Sequence, residues 1–216
     1  SARPKQFISL FGGRPLIALA LDRLEGVVPP ERTLIITADD LIEATAEVAR
    51  QLPPENLIGE LCGRDTAAAC ALACGLVAAR DPEGVVAILT ADQLMTDIET
   101  FRQTLRDSYA AAASGQHIVT IGIPPTPPAT GFGYIEAGDD LALPTATRFC
   151  RARRFVEKPD AQTATQYISR GNYCWNAGMF IWHVRTMRAA LAVFVPELEP
   201  LIDAPAGAVS CEDLHR

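Results

Sequence analysis

An α/β fold, with a mainly parallel central sheet flanked by helices and a more mixed second half, is predicted by three observations. Between residues 33 and 123, unbroken apolar runs alternate with helical stretches, the pattern of parallel strands buried on both faces. A rigid Pro-rich segment, Pro124-Pro125-Thr126-Pro127-Pro128, then marks a change of character, and strands predominate beyond it. The composition, 49% hydrophobic and 21% charged over 216 residues, suits one soluble domain with a well-buried core.

The elements follow in order. Pro15 to Leu24 reads as a helix with Pro in its first turn and Gly26 as its stop. Thr33–Thr37 is an apolar strand, followed by a helix from about Asp40 to Gln51. Leu57–Gly59 is a short strand running into Glu60-Leu61-Cys62-Gly63-Arg64. Asp65 or Thr66 caps an Ala-rich helix reaching about Ala79. Val85–Leu89 is the next buried strand and Thr90-Ala91-Asp92 lies at its end. Asp97 caps a helix to about Ala113, and Ile118–Ile123 is a strand. In the second half, strands are expected over 132–136, 147–157 and 173–184, with helices over 161–170 and 184–194. No internal repeat stands out. One domain, 1–216, is expected, with halves dividing near residue 123.

The formal net charge is −7 and there is no Lys/Arg run, so nucleic acid and anionic membranes are poor partners. No window of 18 apolar residues exists, and the start lacks a signal-type apolar core, so a soluble, cytoplasmic protein is expected. Cys62, Cys70, Cys74, Cys150, Cys174 and Cys211 lack C-x-x-C spacing. Cys70 and Cys74 stand i, i+4 on a helix and are expected to pack as small hydrophobes. Three scattered histidines give no zinc pattern.

Lys5 and Lys158 are the only lysines, so an anionic ligand has few local cations to meet it. Around Lys158, Glu157 can accept from hydroxyls and Asn176 can both donate and accept, while Gly178 permits close backbone approach. Taken singly, these pieces read equally as a strand end meeting a turn before Pro159. Asp92 is a carboxylate outside the carboxyl end of a strand, where open α/β sheets bind ligands. It can serve a hard cation or simply cap a turn. Templates for P-loops, nucleophile elbows and zincins are absent.

Five segments occur in order: R-P-K-Q-F at Arg3–Phe7, G-R-D-T-A at Gly63–Ala67, T-G-F-G-Y-I-E at Thr130–Glu136, F-V-E-K-P at Phe155–Pro159 and W-N-A-G-M-F at Trp175–Phe180. Together they resemble the mannose-1-phosphate guanylyltransferases, among the sugar-1-phosphate nucleotidyltransferases, over nearly the whole chain. The resemblance implies a Rossmann-like nucleotidyltransferase fold, with a nucleotide half over about 1–123 and a sugar half over about 124–216. It implies transfer of GMP from GTP to mannose 1-phosphate, giving GDP-mannose and pyrophosphate. Lys5, Glu60, Arg64, Asp65 and Thr66 would then face the nucleotide, with Glu60 accepting from the guanine edge. Gly133, Glu136, Glu157, Lys158 and Asn176 would face the mannose phosphate. Asp92 would hold Mg2+, its T-A-D-Q setting resembling the family's P-A-D-H. Lys5, Asp92 and Lys158 would be catalytic. A homodimer is left open.

The family's Gly-rich G-x-G-T-R-L-x-P-x-S loop and its later S-I-D segment, carrying a second metal carboxylate, fall outside these residues. Two alternatives stand beside the main reading: a nucleotidyltransferase for another base or sugar and, if these residues are the whole protein, a non-catalytic sugar-phosphate-binding module.

Overall fold

The computed structural model describes residues 5–7, 9–11, 13–60, 66–198 and 200–203. A small hairpin, β1 (Ser9–Phe11) and β2 (Arg14–Pro15), precedes helix α1 (Leu16–Asp22). Strand β3 (Ile35–Ala38), helix α2 (Ile42–Val48) and strand β4 (Leu57–Glu60) form a unit in which β3 and β4 pair in parallel. Helix α3 (Thr66–Arg80), strand β5 (Val85–Ile88), helix α4 (Ile98–Ala113) and strand β6 (Ile118–Ile123) continue the alternation. Asp97 caps α4 as its position in sequence suggests, its Oδ1 accepting from the Thr100 N–H at 3.0 Å.

The second half contains strands β7 (Tyr134–Leu141) and β8 (Phe149–Val156), helix α5 (Ala161–Arg170), strand β9 (Tyr173–His183), and helices α6 (Val184–Phe194) and α7 (Pro200–Asp203). Its organiser is β9, whose eleven residues run antiparallel to β5, β6 and β7. Ile181 pairs with Ala87 on one edge and Val119 on the other, so β5 and β6 run parallel to each other with β9 between them. The parallel alternation expected from sequence is therefore present, but within this sheet it is expressed through an intervening antiparallel strand. The parallel ladder itself is the separate β3–β4 pair. Local periodicity cannot reveal such an insertion, because a strand from the far end of the chain supplies it.

Both faces of β9 are covered, which explains its near-continuous apolar run. Trp182 and Phe180 pack with Cys70, Cys74, Val86 and Leu191, against α3 and α6. Ala177, Met179 and Ile181 pack with Phe101, Leu105 and Val119, against α4. A third cluster, Tyr134, Ala164, Tyr167 and Tyr173, seats α5 beneath the start of β9. Burial of this order contributes about 1.5–3 kcal/mol per large apolar side chain. Cys70 and Cys74 behave as the small hydrophobes expected of them: both are buried, and burial pushes their thiols up to about 11.

Candidate functional site

One stretch of β9 organises the site. On the edge that β5 and β7 share, β5 pairs as far as Phe180 and β7 begins at Trp175, so Asn176–Met179 bridges an opening between them. Against β6 the same stretch bulges. Thr120 pairs with Phe180 and Gly122 with Asn176, so three residues of β9 oppose Ile121 alone. Gly178 makes this possible, for its φ of +67° lies in the left-handed region where any side chain is strained.

The carboxyl end of β5 reaches the opening from one side. A Cβ on Gly178 would stand 3.6 Å from Thr90 Cγ2. Gln93 Nε2 donates to the Ala177 carbonyl at 2.7 Å, fastening the 90–93 turn to the bulge. Asp92, between these two contacts, is exposed. From below, the buried Arg23 donates to the carbonyls of Thr90 and of Gln93, the latter at 3.3 Å. Burial lowers the Arg23 pKa to about 10, and the nearby Asp92 charge acts in the opposite direction.

From the other side comes the start of β7. The Asn176 N–H donates to the Gly133 carbonyl at 2.8 Å. A Cβ on Gly133 would stand 3.0 Å from Glu157 Oε1 and 3.6 Å from Asn176 Cβ, so Gly133, Glu157 and Asn176 converge and only glycine fits without displacement. The Tyr134 hydroxyl bonds both the N–H and the carbonyl of Ala129, at 3.1 and 2.9 Å, pinning the end of the Pro-rich segment there. Asn176 Oδ1 accepts from the Gly178 N–H at 3.0 Å, and at the long distance of 3.4 Å from Thr120 Oγ1. That leaves its Nδ2 hydrogens to donate elsewhere, which narrows the dual role expected from sequence.

Lys158 follows Glu157 in the turn joining β8 to α5, whose N-cap Asp160 accepts from the Thr163 N–H at 2.7 Å. The turn that the Glu-Lys-Pro sequence suggests is thus real. Lys158 itself has φ +37°, the one positive φ at a non-glycine residue among the described residues. Such a backbone costs about 1–2 kcal/mol, and strain of this kind clusters at ligand sites.

Glu136 lies on β7 with its carboxylate already engaged by Tyr173 Oη at 2.9 Å and Arg154 Nε at 2.7 Å. The Tyr173 hydroxyl, followed by Arg154, holds that carboxyl below the usual range. Glu60 ends β4 and lines a groove of about 840 Å3 shared with Arg23, Thr90 and Ala91, and burial raises its pKa. Arg64 and Asp65 lie outside the described residues, as do the side chains of Lys5 and Thr66. Sequence reasoning missed Arg23, and noted Gln93 only as part of the T-A-D-Q segment, without a role. The signal for Arg23 was an arginine next to Asp22 at the end of a largely apolar helix, which also reads as an ordinary C-terminal cation.

Among the described residues, no group of three or more His, Cys, Asp or Glu gathers to hold a metal. A single exposed carboxylate, Asp92, fits an ion of the magnesium type, which takes one or two protein carboxylates and completes its shell with phosphates and water. None of the described helices is long and apolar enough to cross a membrane.

This arrangement, a βα alternation whose strand end meets a second, mixed half across an opening, defines a nucleotidyltransferase class of fold. The chain belongs to the nucleotidyl transferase family, which it matches over residues 1–195. More particularly, it is 35% identical over 212 residues to the mannose-1-phosphate guanylyltransferase of Klebsiella pneumoniae, covering 97% of this chain and 44% of that protein. It is 38% identical over 200 residues to mannose-1-phosphate guanylyltransferase ManC of Salmonella typhimurium, covering 90% and 41%. The crystal structure of mannose-1-phosphate geranyltransferase from Thermus thermophilus superposes with a TM-score of 0.85 at 33% identity, covering 99% of this chain and 60% of that one. The chain spans under half the length of the curated relatives it matches.

Proposed function

We propose that the chain transfers GMP from GTP to mannose 1-phosphate, forming GDP-mannose and pyrophosphate. The observation that carries this reading is the opening in β9, where the Asp92 turn and the Gly133–Glu157–Asn176 cluster meet on one four-residue stretch. A transfer between two phosphorylated substrates needs such a meeting point, because an oxygen of one phosphate must reach the phosphorus of the other.

In this reading an oxygen of mannose 1-phosphate attacks the α-phosphorus of GTP in line. The bond from that phosphorus to the bridging oxygen breaks, and pyrophosphate leaves with the electron pair. No side chain forms a covalent bond, so the chain's contribution is positioning and charge. Asp92 would hold Mg2+, which when bound supplies charge neutralisation for the phosphates. Lys5 and Lys158 would add point charges on the nucleotide and sugar sides respectively. Glu60, with Arg64, Asp65 and Thr66, would address the guanine nucleotide. Asn176 Nδ2, Glu157 and the open space over Gly133 would address the mannose ring, with Glu136 holding that wall through Arg154 and Tyr173. The halves 1–123 and 124–216 would thus bind nucleotide and sugar in turn. The free cysteines among the described residues suit a reducing cytoplasm.

A matrix of GTP, ATP, UTP and CTP against mannose 1-phosphate and glucose 1-phosphate tests the reading, with pyrophosphate release and the nucleotide sugar both measured. Product from GTP and mannose 1-phosphate is expected to dominate. Preference for another pair overturns the substrate assignment, and binding of mannose 1-phosphate without turnover under any pair overturns the enzymatic one.

A further inference from the structure

Arg23 is only 3% exposed, at the end of α1, with its guanidinium over the Phe101 ring at 5.2 Å. Burying a charge costs several kcal/mol unless it is well partnered, and an apolar side chain would fill this space without that cost. What a guanidinium does here, and an apolar group cannot, is grip two carbonyls at once. Those are Thr90 O and Gln93 O, one on each side of Asp92. Its Nε has no partner among the described residues, so the contacts are not those that would best satisfy the arginine itself. Arg23 is held in turn: Arg102 of α4 donates to the Asp22 and Arg23 carbonyls at 2.9 and 3.2 Å. On the far side of the turn, Gln93 donates to Ala177. A continuous chain of contacts therefore runs from α4 through α1 and the 90–93 turn to the bulge of β9.

We propose that Arg23 is a positioning residue for phosphoryl transfer, fixing the turn that presents Asp92 to the opening. The proposal rests on the role given to Asp92 above. It is tested with Arg23→Lys and Arg23→Met in the intact protein. Lysine keeps the charge, but one ammonium does not reproduce a planar fork across two carbonyls. Three readouts are taken together: amide hydrogen exchange of residues 90–95 without ligands, kcat with KM for mannose 1-phosphate, and the thermal midpoint.

For Arg23→Lys, exchange at 90–95 is expected to rise several-fold while most other segments keep their protection. The kcat is expected to fall about ten- to a hundred-fold, the usual effect of losing the group that orients a ligand side chain, with KM changed by less than about twofold. Wild-type exchange at 90–95, or raised exchange with unchanged kcat, overturns the proposal. So does a lowered midpoint with exchange raised throughout the molecule, because that assigns Arg23 to general stability. If Arg23→Met does not fold, Arg23→Lys carries the test. Asp92→Asn measured in parallel separates the two ideas. Normal turnover there removes the role of Asp92, while exchange at 90–95 still reports whether Arg23 holds the turn.

Discussion

The Asn176 side chain folds back onto Gly178, its Oδ1 accepting the Gly178 N–H at 3.0 Å. This one bond braces the bulge, satisfies a part-buried N–H, and turns the amide into a donor toward whatever occupies the opening. Asn176→Asp keeps the bracing acceptor and removes the outward donor. It is expected to hold the unfolding free energy nearly constant while weakening mannose 1-phosphate about tenfold, the scale of one hydrogen bond. Asn176→Ala loses both functions and is expected to be less stable by about 0.5–1.5 kcal/mol as well. Calorimetric titration with urea unfolding separates the two variants. Unaltered affinity in Asn176→Asp would remove Asn176 from the binding site.

Gly178→Ala isolates the backbone. The added Cβ meets Thr90 Cγ2 at 3.6 Å, an ordinary contact, so crowding is not the problem. The φ of +67° is, and it is expected to cost about 1–2 kcal/mol in urea unfolding. A neutral substitution would show that residue 178 is not held in the left-handed region.

Lys158 combines the charge proposed to meet the sugar phosphate with a strained backbone. Lys158→Ala removes the charge and keeps the strain, whereas Lys158→Gly removes both. Both are expected to weaken mannose 1-phosphate by about ten- to a hundred-fold, since a hydrogen bond to a charged group is worth about 1.5–3 kcal/mol. GTP affinity should change much less. The glycine variant should be more stable than the alanine variant by about 1–2 kcal/mol. Equal stabilities would contradict the backbone assignment, and equal loss of both ligands would contradict the division into nucleotide and sugar halves.

Much of this was legible in the chain, for reasons that differ by element. Strand β6 and helices α5 and α6 have the bounds read from sequence, because local signals delimit them: Asp160 and Gly171 bracket α5, and Pro-rich sequence follows β6. Gly133, Glu157 and Asn176 were picked out by residue type and resemblance, and the fold brings them together. The gap between β5 and β7 on β9 was not legible, since it depends on pairing between segments about ninety residues apart. Nor was the engagement of Glu136, because Arg154 and Tyr173 become its neighbours only once β7, β8 and β9 align. Arg23 escaped notice for the same reason, its partners lying about seventy residues away.

Asp107 supplies a pH-dependent term. It is buried on α4 and accepts from the Thr147 N–H and hydroxyl at 2.8 and 2.6 Å, tying the β7–β8 connection to the helix. The Thr147 hydroxyl, first among several donors, holds its carboxyl below the ordinary range. A lowered folded-state pKa means that the stabilisation is complete above the unfolded-state value and is lost as pH falls through the folded-state value. Asp107→Ala is expected to cost about 1–3 kcal/mol near neutrality and progressively less in acid. Urea unfolding of both proteins from pH 7 to pH 3 checks this, and a gap that stays constant or widens in acid would contradict it.

Asp92→Asn asks whether phosphoryl transfer is organised at the opening in β9 by the turn ending β5. An amide is nearly isosteric with the carboxylate but is a poor ligand for magnesium, and residue 92 is exposed, so the fold should not register the change. The measurement is GDP-mannose formation from GTP and mannose 1-phosphate as a function of magnesium concentration, with the thermal midpoint recorded on the same samples. Loss of turnover by about a hundredfold or more at an unchanged midpoint is expected, corresponding to several kcal/mol of charge stabilisation. Wild-type turnover at ordinary magnesium concentration would rule out that organisation and return Asp92 to capping a turn.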